Sequence, residues 1–375
     1  MIKIIPITFL VLILSFFSEV FSEKDELKKT YIRKNKFFVV IIIIACTVFA
    51  MLRTGYNDTK TYLEIYDFLT SPNIDLSVLK NNIGDSPGFL LLNQIIKHFK
   101  FSDNAYLLVY AFLTYAIYIW FIRKYSTDFL MSMLLFICLD FTFPLAAIRQ
   151  TIAVAFCLVA VDKYLNNKWF WFIFWLIIAE LFHPYAFLYL MVPLFMFVPW
   201  NDNKVFYWLA FFIAVGIFLK PFMGTILSFI SNFGKKYEES EMMGAGVNPL
   251  RVIITFVPLI LSFILRKKII SPEYEVDKKE GLLLNLTYLN GELMFVALFG
   301  TANYFARLAN YFNIFPIIML PRLFNMVSDR WRFLLKTVAV MCYLFFFYYS
   351  NVIAGWNPFD IEFVRIPLRE FHWFN

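Results

Sequence analysis

The chain has 375 residues, of which 61% are hydrophobic and only 16% charged, with a net charge of +7 and a mean hydropathy of +0.68. Soluble domains average about 45–50% apolar and about 25% charged residues, so a soluble protein of one or two domains is excluded; repeated apolar stretches of about 18 residues explain the excess. Nucleic acid is excluded as the reason for the positive charge. The lysines and arginines lie mostly in short loops between apolar segments, which is how membrane proteins encode orientation.

In chain order, spans are predicted near 3–20, 37–52, 104–122, 127–141, 144–163, 168–182, 184–199, 204–221, 249–265, 282–301, 304–320 and 333–350. The first resembles a secretory signal, with Lys3 before an apolar run and Val20-Phe21-Ser22 as a cleavage-like site. Cleavage there would leave Lys24, Lys28, Lys29, Arg33, Lys34 and Lys36 outside and invert every later span, so 3–20 is read as a span. Residues 88–99 are too short to cross and read as a re-entrant or interfacial helix. Tyr62, Ile65, Tyr66 and Leu69 share one face of an amphipathic helix, with Asp58 placed to cap it.

The positive-inside rule puts 22–36 in the cytoplasm, together with Arg123 and Lys124, Lys163 and Lys168, Lys204, the Arg266-Lys267-Lys268 run with Lys278 and Lys279, and Arg322, Arg330 and Arg332. The expected architecture is a single polytopic domain over 1–375, an all-α membrane protein of about twelve helices. Segments 53–103 and 222–248 become long extracytoplasmic loops. Cys46, Cys138, Cys157 and Cys342 all fall in apolar segments without metal-ligand or disulfide spacing. No metal motif, phosphate-binding loop, nucleophile elbow or dinucleotide fingerprint is present.

Orientation leaves several polar groups at outer span ends, where the rule gives them no purpose: Arg53, Arg149, His183, Lys220 and Arg307. An arginine in hydrocarbon costs about 2.5–3.5 kcal/mol on insertion scales, so it faces a cavity, a bundle interior or an anion. Its planar fork suits phosphate oxygens; the alternative for any one of them is snorkelling to the interface. His183 precedes Pro184, which is favoured at a first helical position, so His183 is a predicted N-cap. A helix N-terminus disfavours imidazolium, and a neutral ring can take a proton from a sugar hydroxyl; the alternative is a histidine that only satisfies backbone groups. Asp85 opens the re-entrant segment, either as an ordinary turn residue or as a carboxylate over the membrane surface. Glu292 lies mid-span, near Asn285, Thr287 and Asn290, as a functional candidate or as glue between helices.

An ordered set of short motifs resembles the EpsG family, a Wzy-like group of bacterial polysaccharide polymerases. It comprises Leu52-Arg53 with Gly55, Asp58 and Tyr62; Ser86-Pro87-Gly88-Phe89 after an acidic residue; Ile148-Arg149-Gln150 through Ala153; Leu181-Phe182-His183; and Ala306-Arg307 with Tyr311-Phe312. The likeness covers roughly residues 1–350, with Asp85 where members often carry Glu and Pro184 where a small residue is common.

The resemblance implies a GT-C-like bundle that acts at the outer face of the bacterial cytoplasmic membrane. It implies inverting glycosyl transfer that polymerises undecaprenyl-pyrophosphate-linked oligosaccharide repeats into exopolysaccharide, capsule or O-antigen. No cofactor is implied, since the pyrophosphate link is already activated. Partners would be the lipid-linked oligosaccharide and the bilayer, with a chain-length regulator and a flippase as candidates, and no nucleic acid. On this reading Arg149 and Arg307, with Gln150, meet the pyrophosphate, and Arg53 assists or ties down the Asp58 loop. His183, Asp58 or Asp85 takes the acceptor proton. Two rival classes remain, a lipid-linked oligosaccharide flippase and a membrane glycan acyltransferase.

Overall fold

The structure is a computed structural model, and it describes residues 3–25, 30–33, 35–69, 73–81, 86–196, 207, 214, 246–271, 276–299, 302–354 and 361–363. The predicted 204–221 span, the 222–248 loop, Lys220 and Asp85 lie outside the described residues. Helices dominate; strand structure among the described residues is confined to two short antiparallel pairs, Glu23–Asp25 with Thr30–Arg33 and Arg53–Gly55 with Glu362–Phe363.

Among the described residues, three helical stretches, Asp103–Tyr125, Lys278–Phe299 and Asp329–Ile353, are long and apolar enough to cross a membrane. Seven shorter apolar helices accompany them: Ile5–Val20, Lys36–Met51, Phe129–Leu139, Trp169–Phe182, Pro184–Met196, Pro249–Ile264 and Ile314–Asn325. The Ile148–Leu165 helix fills the fifth predicted position. Local signals set the starts. Asn35, Asp128, Asn248 and Asp277 each accept a backbone N–H of the helix they cap, at 3.0, 2.9, 2.9 and 2.7 Å. The re-entrant segment is the Pro87–His98 helix, and the amphipathic one is Thr59–Asp67.

The predicted span at 144–163 is divided at Ala147, and those at 184–199 and 304–320 break up near proline, which lacks an N–H and clashes with the carbonyl four residues back. Phe143–Ala146 forms a separate turn before Ile148–Leu165. Pro184–Met191 is a 3-10 helix, followed by Val192–Met196, in which Pro193 would press on the Tyr189 carbonyl in α geometry. Pro316 does the same to Phe312, so Ala302–Ala306 (a π-helix) and Arg307–Asn310 are divided from Ile314–Asn325.

The chain falls into two compact units, Met1–Tyr189 with Phe347–Asn375, and Leu190–Phe346. In the first, Ile5–Val20 packs on Lys36–Met51 and Phe129–Leu139. The Glu19 carboxylate there accepts the N–H groups of Phe129 and Leu130. Tyr66 of Thr59–Asp67 stacks on Tyr106 at 4.4 Å between ring centres, and Tyr106 meets Tyr110 edge-on at 5.1 Å, which docks the amphipathic helix onto Asp103–Tyr125. At the far end of Asp103–Tyr125, the buried Asp162 pairs with Lys124 and accepts the Tyr125 hydroxyl at 2.7 Å. Lys124 and Lys163 therefore share one end of this unit. In the second unit, Arg322 pairs with Glu280 at 3.1 Å and Lys268 donates to the Met326 carbonyl at 3.1 Å, so its basic loops also gather at one end.

Candidate functional site

The first unit's other end carries the motif residues. Arg53 follows the Lys36–Met51 helix and is 2% exposed. Its Nε donates to the Thr59 hydroxyl at 3.1 Å and its Nη1 to the Ala50 carbonyl at 2.6 Å. Thr59 in turn donates to the Tyr56 carbonyl at 2.7 Å and also lies 3.3 Å from the Leu145 carbonyl. The loop 53–59 is thus tied to the turn just before Arg149. Both acceptors of Arg53 are neutral, and tyrosines 115, 106 and 62 surround it; burial pushes its pKa down to about 10, so it stays a cation at neutral pH.

Arg149 is the second residue of Ile148–Leu165 and is half-buried. Its guanidinium lies 6.0 Å from the Tyr62 ring centre and 5.8 Å from that of Phe89. Those rings touch each other edge-on at 5.8 Å and make a bed under the cation. Burial raises the Tyr62 pKa, the nearby Arg149 cation lowers it and the Asp58 carboxylate raises it. Tyr62 therefore lies within electrostatic reach of both Arg149 and Asp58. Gln150, the next residue, is buried.

Asp58 was expected to cap the Thr59–Asp67 helix through its side chain; instead its backbone carbonyl accepts Tyr62 N–H at 3.1 Å, and the side chain makes no capping bond. The preceding Asn57 is left-handed (φ 46°), which turns the chain so that the Asp58 carboxylate stands exposed.

Ser86 is also left-handed (φ 59°) and buried, and it leads into Pro87 at the helix start. Gly88 is there because of a close approach: a Cβ would lie 2.7 Å from the Leu181 Cβ and 3.0 Å from the Leu181 carbonyl oxygen. The segment carrying Phe89 therefore meets the segment carrying His183. Gly88→Ala is expected to lose about 1–3 kcal/mol of stability, by overpacking. Thermal unfolding in detergent checks this, and an unchanged midpoint would contradict the close packing.

His183 ends the Trp169–Phe182 helix in an extended conformation, and its carbonyl accepts Ala186 N–H at 3.1 Å. Its Nδ1 accepts Tyr185 N–H at 3.4 Å, so the ring caps the 3-10 turn that replaces the predicted α-helix. Nδ1 so engaged leaves the neutral ring's proton on Nε2. That tautomer donates from Nε2 and does not accept there. Glu180 is held by its own turn, accepting Phe187 N–H at 3.0 Å.

Arg307 lies in the second unit, exposed, at the start of Arg307–Asn310 rather than inside a continuous span. Arg251 escaped the reading of the sequence. It stands in the first turn of Pro249–Ile264, and its Nη2 donates to the Asn310 Oδ1 at 2.7 Å. Its position at an outer span end was the available signal. Glu292 is buried in Lys278–Val296, and its Oε1 has no partner among the described residues. Among the described residues no His, Cys, Asp and Glu cluster could hold a metal.

A family model now decides the relationship: the model of the EpsG family matches residues 36–360, most of the chain. The chain belongs to the EpsG family. The match spans every motif residue placed above, in both units, from Arg53 through Asp58, Ser86–Phe89, Arg149 and His183 to Arg307. It stops just short of Glu362–Phe363, which this EpsG-family protein pairs with Arg53–Gly55. Glu362 also forms an ion pair with Lys60 at 3.4 Å. Comparison with curated proteins and with solved structures returned no significant match.

Proposed function

We propose that this EpsG-family protein is a polysaccharide polymerase of the bacterial cytoplasmic membrane. It joins undecaprenyl-pyrophosphate-linked repeat units by inverting glycosyl transfer at the outer face, within a GT-C-like bundle of about twelve helices. The observation that carries this reading is Arg149: a half-buried guanidinium within 6.0 Å of two aromatic ring centres, at the same end of its unit as the fully buried Arg53 and the exposed Asp58. Two cations at one end of a membrane unit, one of them bonded only to neutral acceptors, suit an anionic headgroup.

In the proposed step, the acceptor hydroxyl oxygen attacks the anomeric carbon of the donor glycan. The bond from that carbon to the pyrophosphate oxygen breaks, and the lipid pyrophosphate leaves with the electron pair. Arg149, with Gln150 beside it, binds the pyrophosphate oxygens as their charge grows. Arg53 holds the loop and adds positive potential. The hydroxyl proton passes to a carboxylate, for which Asp58 is the described candidate and Asp85 the other. His183 donates from Nε2 to an oxygen of the leaving group or sugar. Arg307 is the second unit's candidate for phosphate oxygens.

The loops support the proposed orientation: within each unit the basic loops gather at one end and the motif arginines at the other. In a background without native cysteines, Lys60→Cys should react with a membrane-impermeant thiol reagent in intact cells and Lys278→Cys should not. Labelling at 278 alone would overturn the outer-face placement.

One observation favours a second reading. Glu292, buried mid-helix without a partner for Oε1, suits the intramembrane polar path that a flippase needs. Deletion of the chromosomal copy separates the classes. Lipid-linked single repeats accumulating outside support the polymerase; single repeats trapped inside mean a flippase, and long unmodified polymer means an acyltransferase.

A further inference from the structure

The backbone around Arg307 does not hold itself in place. A π-helix, Ala302–Ala306, gives way to one α-turn, Arg307–Asn310, and then to a break before Ile314. The bonds across the break are of the short i to i−3 kind: Tyr311 N–H to Leu308, Phe312 to Ala309 and Asn313 to Asn310, at 3.1, 2.9 and 3.4 Å. Side chains from two neighbouring helices supply the missing order. From Lys278–Val296, the fully buried Asn290 donates its amide to the Ala309 carbonyl at 2.8 Å and to the Asn313 Oδ1 at 2.9 Å. Asn313 donates to the Asn310 Oδ1 at 3.3 Å. From Pro249–Ile264, Arg251 donates to that same oxygen at 2.7 Å. The charge-assisted bond from Arg251 is the strongest member of such a chain. Asn310 is three residues after Arg307, so it lies on the same face of the turn.

We propose that Arg251, through Asn310, is a positioning residue for Arg307: it fixes where the exposed guanidinium of the irregular turn stands. The inference rests on the reading that Arg307 meets phosphate oxygens of the lipid-linked substrate. A bidentate contact tolerates little displacement, and a shift of about 1 Å imposed from a distance can cost on the order of 10²-fold in rate.

The test uses the full-length protein in proteoliposomes with lipid-linked repeat units, and reads initial polymerisation rates. Arg307→Gln is expected to lose on the order of 10²-fold. Arg251→Gln is expected to reach the membrane normally and lose about tenfold, but less than about twofold further when Arg307→Gln is already present, since it acts through that residue. Asn310→Asp keeps the accepting oxygen and should stay within about threefold of wild type, whereas Asn310→Leu should fall like Arg251→Gln.

Three results would overturn the inference. Arg251→Gln within about twofold of wild type, with Arg307→Gln impaired, would remove the positioning role alone. A full tenfold loss in both backgrounds would mean that Arg251 acts independently of Arg307. Arg307→Gln within about twofold of wild type would remove the phosphate reading of Arg307 itself. If Arg251→Gln does not accumulate, the Asn310 pair decides: equal activity of the aspartate and leucine variants contradicts the role.

Discussion

Arg149→Lys is expected to reach the membrane at wild-type level and lose on the order of 10²-fold in polymer output, the scale seen when one donor to transition-state charge is removed. A point charge keeps the attraction for an anion but loses the planar fork that pairs with two oxygens. The site sharpens the expectation, because the guanidinium stands within 6.0 Å of two aromatic ring centres, Tyr62 and Phe89. Lysine has no plane to stack. Tyr62→Leu should show a smaller loss in the same direction. Polymer quantity per unit of membrane protein checks both, and near-normal output from Arg149→Lys would mean that this residue anchors the helix at the interface.

His183 gives the second large effect, and the structure changes the form of the test. The sequence offered a neutral imidazole as proton acceptor; the 3.4 Å contact of Nδ1 with Tyr185 N–H favours a neutral ring with its proton on Nε2, a donor instead. Glutamine also presents an N–H at similar reach. His183→Gln should therefore keep activity within about tenfold of wild type, while His183→Ala loses on the order of 10²-fold. Asp58→Asn should be the more damaging change if Asp58 takes the proton, since an amide cannot accept one. Initial rates for the three variants decide. If glutamine proves as inactive as alanine and Asp58→Asn stays active, the proton goes to His183.

Much of the helical framework was legible in the sequence, because burying backbone polar groups in hydrocarbon requires helices and hydropathy marks them. The amphipathic Thr59–Asp67 and the short Pro87–His98 helices were also readable, one from its face and one from its length. The breaks at 184–199 and 304–320 were not. Both stretches are apolar enough to pass as spans, and only the placement of Pro193 and Pro316 against the preceding carbonyls divides them.

Within the site, the polarity of Arg53 and Arg149 at span ends could be read directly. What surrounds them could not. The bed of Tyr62 and Phe89 brings together residues from two separate helices, and the contact of Gly88 with Leu181 joins segments far apart in the chain. Arg251 was passed over for a related reason. At a span end it looks like an interfacial anchor, and only its bond to Asn310 gives it another role. The pairing of Glu362–Phe363 with Arg53–Gly55 joins residues about 300 positions apart, and no local pattern announces it.

The central claim is that this EpsG-family protein itself extends lipid-linked glycans. The most direct measurement is incubation of the purified full-length protein in proteoliposomes with undecaprenyl-pyrophosphate-linked repeat units and no nucleotide sugar, followed by separation of the products by size. A ladder of lipid-linked multimers, each longer by one repeat and absent with Arg149→Lys, is the predicted result. Repeat units that stay single after prolonged incubation, with a correctly folded protein and the matching repeat, would contradict it.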